Sequence, residues 1–316
     1  MRDAAALASP DQALASLLDR LDAVGYDFIT PTPLTHSRVL ARPDKQQARD
    51  LRDVLGWSCR FTREVLPPDV FELLEAGHVL VRDGDLWKSA IRVSRVHGRL
   101  FLHSAYPTSD ADAVFLGPDS YRFADFITAE LGAARRIGRV VDIGAGAGVG
   151  ALTAAAGRDA AQVLLTDINP KAHRLARLNA AHARISVDTV EASGLAGAPD
   201  RADLILANPP YIADPGGRTY RDGGELHGGQ MSVDWAKAAV GKLAPGGRFL
   251  LYSGSAIVAG GRDRLREELE ALAQETGVAL TYRELDPDVF GEELERDDYA
   301  DVERIAVVGA VITKPR

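Results

Sequence analysis

The sequence predicts an α/β fold: a mostly parallel sheet of seven strands covered by helices, preceded by a smaller α+β domain of helices and a hairpin. Three observations carry this. From Tyr121 onward, short apolar runs alternate with amphipathic helical stretches, the pattern of a sheet buried on both faces. Before that point the chain reads as helices followed by short strands divided by Asp-Gly and His-Gly turns. The length of 316 residues also exceeds the ~250 residues at which single cores usually stop growing. Two domains are therefore expected, 1–110 and 111–316.

Ser9-Pro10-Asp11 opens the first helix: the hydroxyl caps free N–H groups, proline suits the first turn, and Leu14, Leu17, Leu18 and Leu21 share one face. Gly25 ends it. A second helix is expected over 43–55, and a third after Pro67-Pro68-Asp69, with Val70, Leu73 and Leu74 turned inward and Gly77 as its stop. Residues 78–82, 86–93 and 99–103, divided by Asp83-Gly84-Asp85 and His97-Gly98, read as a three-stranded meander. Helices followed by such a meander suggest a winged-helix-like module. Residues 107–118, rich in Asp, Ser and Pro, read as a linker. Strands follow at 138–143, 162–167, 185–190, 203–208, 247–253, 278–285 and 303–312, with helices near 121–134, 147–157, 170–182, 230–243 and 261–276. No crossover helix separates the last two strands, so one strand is expected to insert antiparallel near the sheet edge.

Composition narrows the functional classes. A chain 46% hydrophobic and 26% charged is neither disordered nor fibrous. No run approaches the ~20 apolar residues of a bilayer span, and the opening residues lack a secretory core, so a cytoplasmic protein with no membrane partner is expected. The single cysteine, Cys59, cannot close an internal disulfide, and the seven histidines show no zinc-binding spacing, so no metal is expected. A net charge of −8 argues against generic, phosphate-dominated binding to nucleic acid. The charge is uneven: residues 1–110 carry 14 basic and 15 acidic side chains, residues 111–316 carry 23 and 30. Between His36 and Arg63, Arg38, Arg42, Lys45, Arg49, Arg52, Arg60 and Arg63 face only Asp44, Asp50 and Asp53. That excess suits either an acidic partner or a solvated helical surface.

Val140-Val141-Asp142-Ile143-Gly144-Ala145-Gly146-Ala147-Gly148 is an apolar strand running into glycines and then a helix. Glycines there allow a tight turn and close approach of a ligand, and the helix start supplies free N–H groups. A dinucleotide turn would place its third glycine where Val149 stands. The preceding acid points elsewhere: Asp142 would repel a pyrophosphate but suits a cationic amino group. The next strand ends in Asp167, whose carboxylate can accept both hydroxyls of a ribose, and Ile168 beside it can pack on a flat adenine. Asp167 is equally suited to the start of the helix that Asn169-Pro170 opens.

Leu204-Ile205-Leu206-Ala207-Asn208-Pro209-Pro210-Tyr211 carries the most specific signal. An apolar strand delivers an amide, two prolines and an aromatic ring to the end of the sheet where ligands of such folds bind. A nitrogen conjugated to a planar group is a poor nucleophile because its lone pair is delocalised. The Asn208 oxygen and the Pro209 carbonyl can accept its two N–H bonds and turn the lone pair toward an electrophile. The prolines stiffen that carbonyl, and Tyr211 can stack on a planar acceptor.

In this order of motifs the chain resembles the class I S-adenosylmethionine-dependent methyltransferases, Rossmann-like in fold, and within them the small-domain N-methylating branch marked by Asn-Pro-Pro-Tyr. That branch holds the glutamine N5-methyltransferases of peptide release factors and the ribosomal RNA guanine N2-methyltransferases. The resemblance spans residues 114–312. It implies S-adenosylmethionine as cofactor, held by Asp142, Gly144, Gly146, Gly148, Asp167, Ile168, Ser193 and Asn208, with Asn208, Pro209 and Tyr211 as catalytic residues. Ser193 stands where the family has an Asp near the adenine amino group. Phe115 to Tyr121 is similar to the segment closing over the methionine end, but the usual Arg is missing and Tyr121 replaces a Glu. Gly223 to Gly229 is similar to a glycine-rich stretch that helps form the acceptor pocket.

The implied function is N-methylation of an amide or exocyclic amino nitrogen in a macromolecule, RNA or protein. The basic stretch and the winged-type module favour RNA. Two other classes are weighed: a catalytically silent methylase-fold subunit that binds cofactor or activates a partner, which the intact Asn208 to Tyr211 opposes, and a dinucleotide oxidoreductase, which Val149 opposes. Arg218 and Arg221, in the 213–224 insert, could pair with an acidic substrate beneath a lid. His227 could be a base, although a surface hinge is the plainer reading. No feature specifies an oligomer.

Overall fold

The computed structural model describes residues 9–134, 136–212 and 223–316. It forms two compact units: residues 1–122 with 146–149 and 174–185, and the remainder. In the first, α1 (Pro10–Ala23) starts as expected, with the Ser9 hydroxyl accepting from the Gln12 N–H, and buries Leu14, Leu17, Leu18 and Leu21. The proline-led helix after Pro67 is also found, with Val70, Phe71 and Leu74 buried.

The region between them departs from expectation. A helix over Pro33–Leu40 (α2) escaped the sequence reading, though Thr32 caps it and Pro33 opens it. The single helix expected over 43–55 is instead a 3-10 turn at Pro43–Lys45 and a short helix, α3 (Leu51–Leu55). The break has a local cause. Asp50 is fully extended and caps α3 through the Asp53 N–H, while the buried Asp53 carboxylate turns back to Lys45 and to the Arg49 N–H at 3.0 Å.

After α4 (Pro68–Ala76), the expected three-stranded meander is two separate hairpins: β1 (Leu80–Asp83) with β2 (Leu86–Ser89), and β3 (Ile91–Val96) with β4 (Arg99–Ser104). Ser89 divides them, its hydroxyl bonding both the N–H and the carbonyl of Ile91. One face of the second hairpin is polar yet buried. Arg92 lies opposite His103, and Ser94 bonds both His103, at 2.8 Å, and Thr30, at 2.6 Å. Burial keeps His103 neutral, and the neighbouring Arg92 charge adds to that. Residues expected to form a linker instead pack here: Val114 and Ser104 exchange hydrogen bonds, and Ala113, Val114 and Leu116 are buried.

The second unit is built on one sheet. After α5 (Pro118–Leu131) come β5 (Arg136–Ile143), α6 (Val149–Ala155), β6 (Asp159–Asp167), α7 (Pro170–His182), β7 (Asp188–Glu191) and β8 (Ala202–Ala207). Then follow α8 (Gln230–Lys242), β9 (Leu243–Val258), β10 (Arg262–Asp263), α9 (Arg264–Thr276), β11 (Ala279–Asp286) and β12 (Val302–Thr313). The order is β11-β12-β9-β8-β5-β6-β7, with β10 paired to β9. β9, β8, β5, β6 and β7 run parallel, while β12 inserts antiparallel between β9 and β11, as the missing crossover helix implied. Val141, Ile143, Ile205, Phe249 and Leu251 pack with Val233, Ala236 and Ala239 of α8 and Leu265, Leu269 and Leu272 of α9. No described helix is long and apolar enough to cross a membrane. Among the described residues no cluster of His, Cys, Asp and Glu could hold a metal ion.

Candidate active site

Strand register brings the motifs to one rim. Ile143 at the end of β5 pairs with Thr166 on β6 and with Ala207 on β8. The residues that follow, Gly144, Asp167 and Asn208, therefore leave three adjacent strands at the same carboxyl edge, with β5 between the other two. Asp167 in turn pairs with Glu191 on β7, which places exposed Ser193 two residues past the rim.

The glycine turn adopts the backbone its residues permit. Gly144, Gly146 and Gly148 have φ of 60°, 54° and 84°, a region that favours glycine. A Cβ at Gly146 would meet open space. At Gly144 it would come within 2.9 Å of the Trp235 ring. Asp142 is 2% exposed and accepts the Ala151 N–H in the first turn of α6 at 2.7 Å. Gly150 is required beside it, since a Cβ there would lie 2.7 Å from the carboxylate.

Burial pushes the Asp142 carboxyl up to about 7; the Ala151 N–H opposes this and the Asp167 charge adds to it. Between ~3.9, the value of an unfolded aspartate, and about 7, the folded chain keeps a proton that the unfolded chain releases. Asp142 therefore favours folding most at low pH, and this contribution is lost as pH rises through about 7. Denaturant titrations at pH 5 and pH 8 should show it: Asp142→Asn removes a decline of a few kcal/mol over that interval. Equal pH slopes in the two proteins would remove Asp142 as the cause.

Asp167 is half-buried, and one of its carboxylate oxygens accepts the Asn169 N–H at 2.9 Å. The cap of α7 is Asn169 itself, whose side chain accepts the Lys171 N–H at 2.9 Å. Ile168, the residue after Asp167, projects with 51% exposure. Asn208 is half-buried, and among the described residues neither its side-chain amide nor the Pro209 carbonyl has a hydrogen-bond partner. Tyr211 is buried, its ring against Gly254, where a Cβ would come within 2.3 Å, and 5.9 Å from that of Phe290. Arg218 and Arg221 lie outside the described residues.

A cavity of about 830 Å³ adjoins the rim, lined by Ser193, Gly194, Gly223, Met231, Asp234 and Trp235 among others. Trp235 escaped the sequence reading. Its signal was a large aromatic set off the apolar stripe Val233, Ala236, Ala239 and Val240 of an amphipathic helix.

These features are compatible with a nucleoside sulfonium: a glycine turn with a buried acid behind it, a half-buried acid at the end of the next strand, and an exposed aliphatic beside that acid. The profile of the methyltransferase small domain family matches residues 124–255. The release factor glutamine methyltransferase of Deinococcus radiodurans is 35% identical over 239 residues, covering 64% of this chain and 84% of that protein. The chain belongs to the small-domain methyltransferases. A second relative of this family, the release factor glutamine methyltransferase of Cereibacter sphaeroides, is 37% identical over 130 residues, covering 37% of this chain and 47% of its own. Among solved structures, wild-type Trm5b from Pyrococcus abyssi has a TM-score of 0.51 at 16% identity, covering 75% of this chain and 62% of that one. TYW2 from M. jannaschii, solved in complex with AdoMet, has a TM-score of 0.51 at 15% identity, covering 76% and 91%. At those identities the likeness shows the fold. This small-domain methyltransferase uses S-adenosylmethionine as methyl donor.

Proposed function

We propose that this enzyme N-methylates the side-chain amide of a glutamine in a protein, a release factor being the first acceptor to test. The observation that carries the chemistry is the pair at the rim, the Asn208 amide and the Pro209 carbonyl, which have no hydrogen-bond partner among the described residues and lie in strand register with Gly144 and Asp167. Two considerations favour protein over RNA. The curated relatives are named for a protein glutamine. The basic stretch of the first unit also meets one acid beyond those its sequence holds, Arg60 pairing with Asp83 at 2.9 Å, while Lys45 pairs with Asp53 and Arg49 with Asp44 at 3.3 Å. Arg52 and Arg63 lie over the Phe28 and Phe71 rings.

The donor, when bound, supplies an electrophilic methyl group on a sulfonium. Asp167 would hold the ribose, Ile168 and Ser193 would border the adenine, and Gly144, Gly146 and Gly148 would let the backbone approach the methionine end, with Asp142 behind. The Asn208 oxygen and the Pro209 carbonyl accept the two N–H bonds of the acceptor amide, which frees its lone pair for in-line attack. The nitrogen–carbon bond would form as the carbon–sulfur bond breaks and a neutral thioether leaves; the two oxygens would stabilise the positive charge developing on nitrogen until one of its N–H protons is released. Tyr211, buried with its ring against Gly254, would stiffen the segment in place of the stacking on the acceptor that its sequence setting suggests. Residues 1–110 form the substrate-recognition domain. Labelled-methyl transfer to a purified release factor, to RNA and to cell extract tests the reading. Label on a glutamine side chain is the expected result; label confined to RNA would replace the acceptor.

A further inference from the structure

The glycine-rich turn after the acceptor motif is held by a group that the reaction itself does not use. Gly228 packs on the motif so closely that a Cβ there would lie 2.6 Å from the Tyr211 carbonyl oxygen, and one at Gly223 would lie 2.6 Å from that of Pro210. The Gly223 N–H donates to the Ile212 carbonyl at 2.9 Å, and the Met231 N–H donates to the Gly223 carbonyl at 3.0 Å. Between these contacts, Leu226 and His227 have φ of 55° and 53°. Two consecutive side-chain-bearing residues in that region are costly, so something must hold them.

The fastening is visible at His227. Its Nε2–H donates to the Asp301 carboxylate at 2.9 Å, and its own carbonyl accepts the Tyr299 hydroxyl at 3.1 Å. The two rings lie 5.6 Å apart. The His227 side chain is 14% exposed, far from the surface residue its sequence setting suggests. Asp301 and Tyr299 sit just before β12, so the pair ties the turn to the start of a strand that is paired on both sides.

We infer that His227 is a positioning residue: clamped by Asp301 and Tyr299, it holds the 223–229 turn against Pro210, Tyr211 and Ile212 and so fixes Asn208 and Pro209 in their acceptor geometry. The inference rests on the methyl-acceptor reading of that segment. A shift of about 1 Å in such a site can lower turnover by ~100-fold without touching the reacting groups.

Hydrogen exchange on the full chain, with steady-state kinetics beside it, tests the clamp. In His227→Ala the amides of Gly223 and Met231 should exchange faster, and kcat should fall ~10- to 100-fold while affinity for S-adenosylmethionine stays unchanged. Asp301→Ala should match it. His227→Gln keeps a donor near the place of Nε2 and should recover most of the loss in both readouts. Wild-type exchange rates in His227→Ala overturn the clamp, as does a Gln variant no better than Ala. If the wild-type chain methylates no acceptor, the exchange rates still decide the clamp, and only the functional reading falls.

Discussion

Replacing Asn208 by Ala is expected to cut methyl transfer by ~10²- to 10⁴-fold, the cost of removing one preorganised acceptor from a developing charge. Affinity for S-adenosylmethionine should remain close to wild type. The separation follows from the geometry. Asn208 leaves β8 on one side of the glycine turn, whereas Asp167 leaves β6 on the other. The amide has no hydrogen-bond partner among the described residues, so its removal breaks no bond within them. Thermal denaturation should therefore shift little, and isothermal titration with S-adenosylmethionine should give an unchanged Kd. If transfer and cofactor affinity fall together, Asn208 belongs to the cofactor site and the acceptor geometry is wrong.

Asp167→Ala should show the converse, a loss of ~100-fold or more in affinity for S-adenosylmethionine. Two charge-assisted hydrogen bonds to a ribose, each worth ~1.5–3 kcal/mol, disappear with the carboxylate. The local structure should survive, because the cap of α7 is supplied by Asn169, although the Asn169 N–H loses its acceptor. At saturating cofactor, kcat should recover most of its wild-type value, since the acceptor segment on β8 is untouched. Titration calorimetry decides: an unchanged Kd would move the ribose site to another residue.

Much of the second unit was legible because its signals are local. A buried parallel strand is an apolar run, an amphipathic helix repeats at 3.6 residues, and the glycine turn and the Asn-Pro-Pro-Tyr segment each follow a strand directly. Even the antiparallel insertion of β12 could be anticipated from a missing crossover. The first unit was harder. Ser9 and Pro10 announced α1, but Asp50 and Ser89 broke a helix and a strand through side-chain bonds to nearby backbone that apolar periodicity cannot register. The charge count of the basic stretch likewise could not show which partners its side chains take: Lys45 is drawn onto a buried Asp53, and Arg60 reaches Asp83 on another element.

The sequence by itself determined the family, the cofactor class and the order of the motifs, since each rests on contiguous residues whose chemistry is intrinsic. Only the tertiary structure decided what stands behind them. Trp235 fills the space beside Gly144, Gly254 makes room for the Tyr211 ring, and Asp301 fastens His227. Each of these contacts joins residues far apart in the chain, and such partners are chosen by strand order and register, which no local pattern encodes.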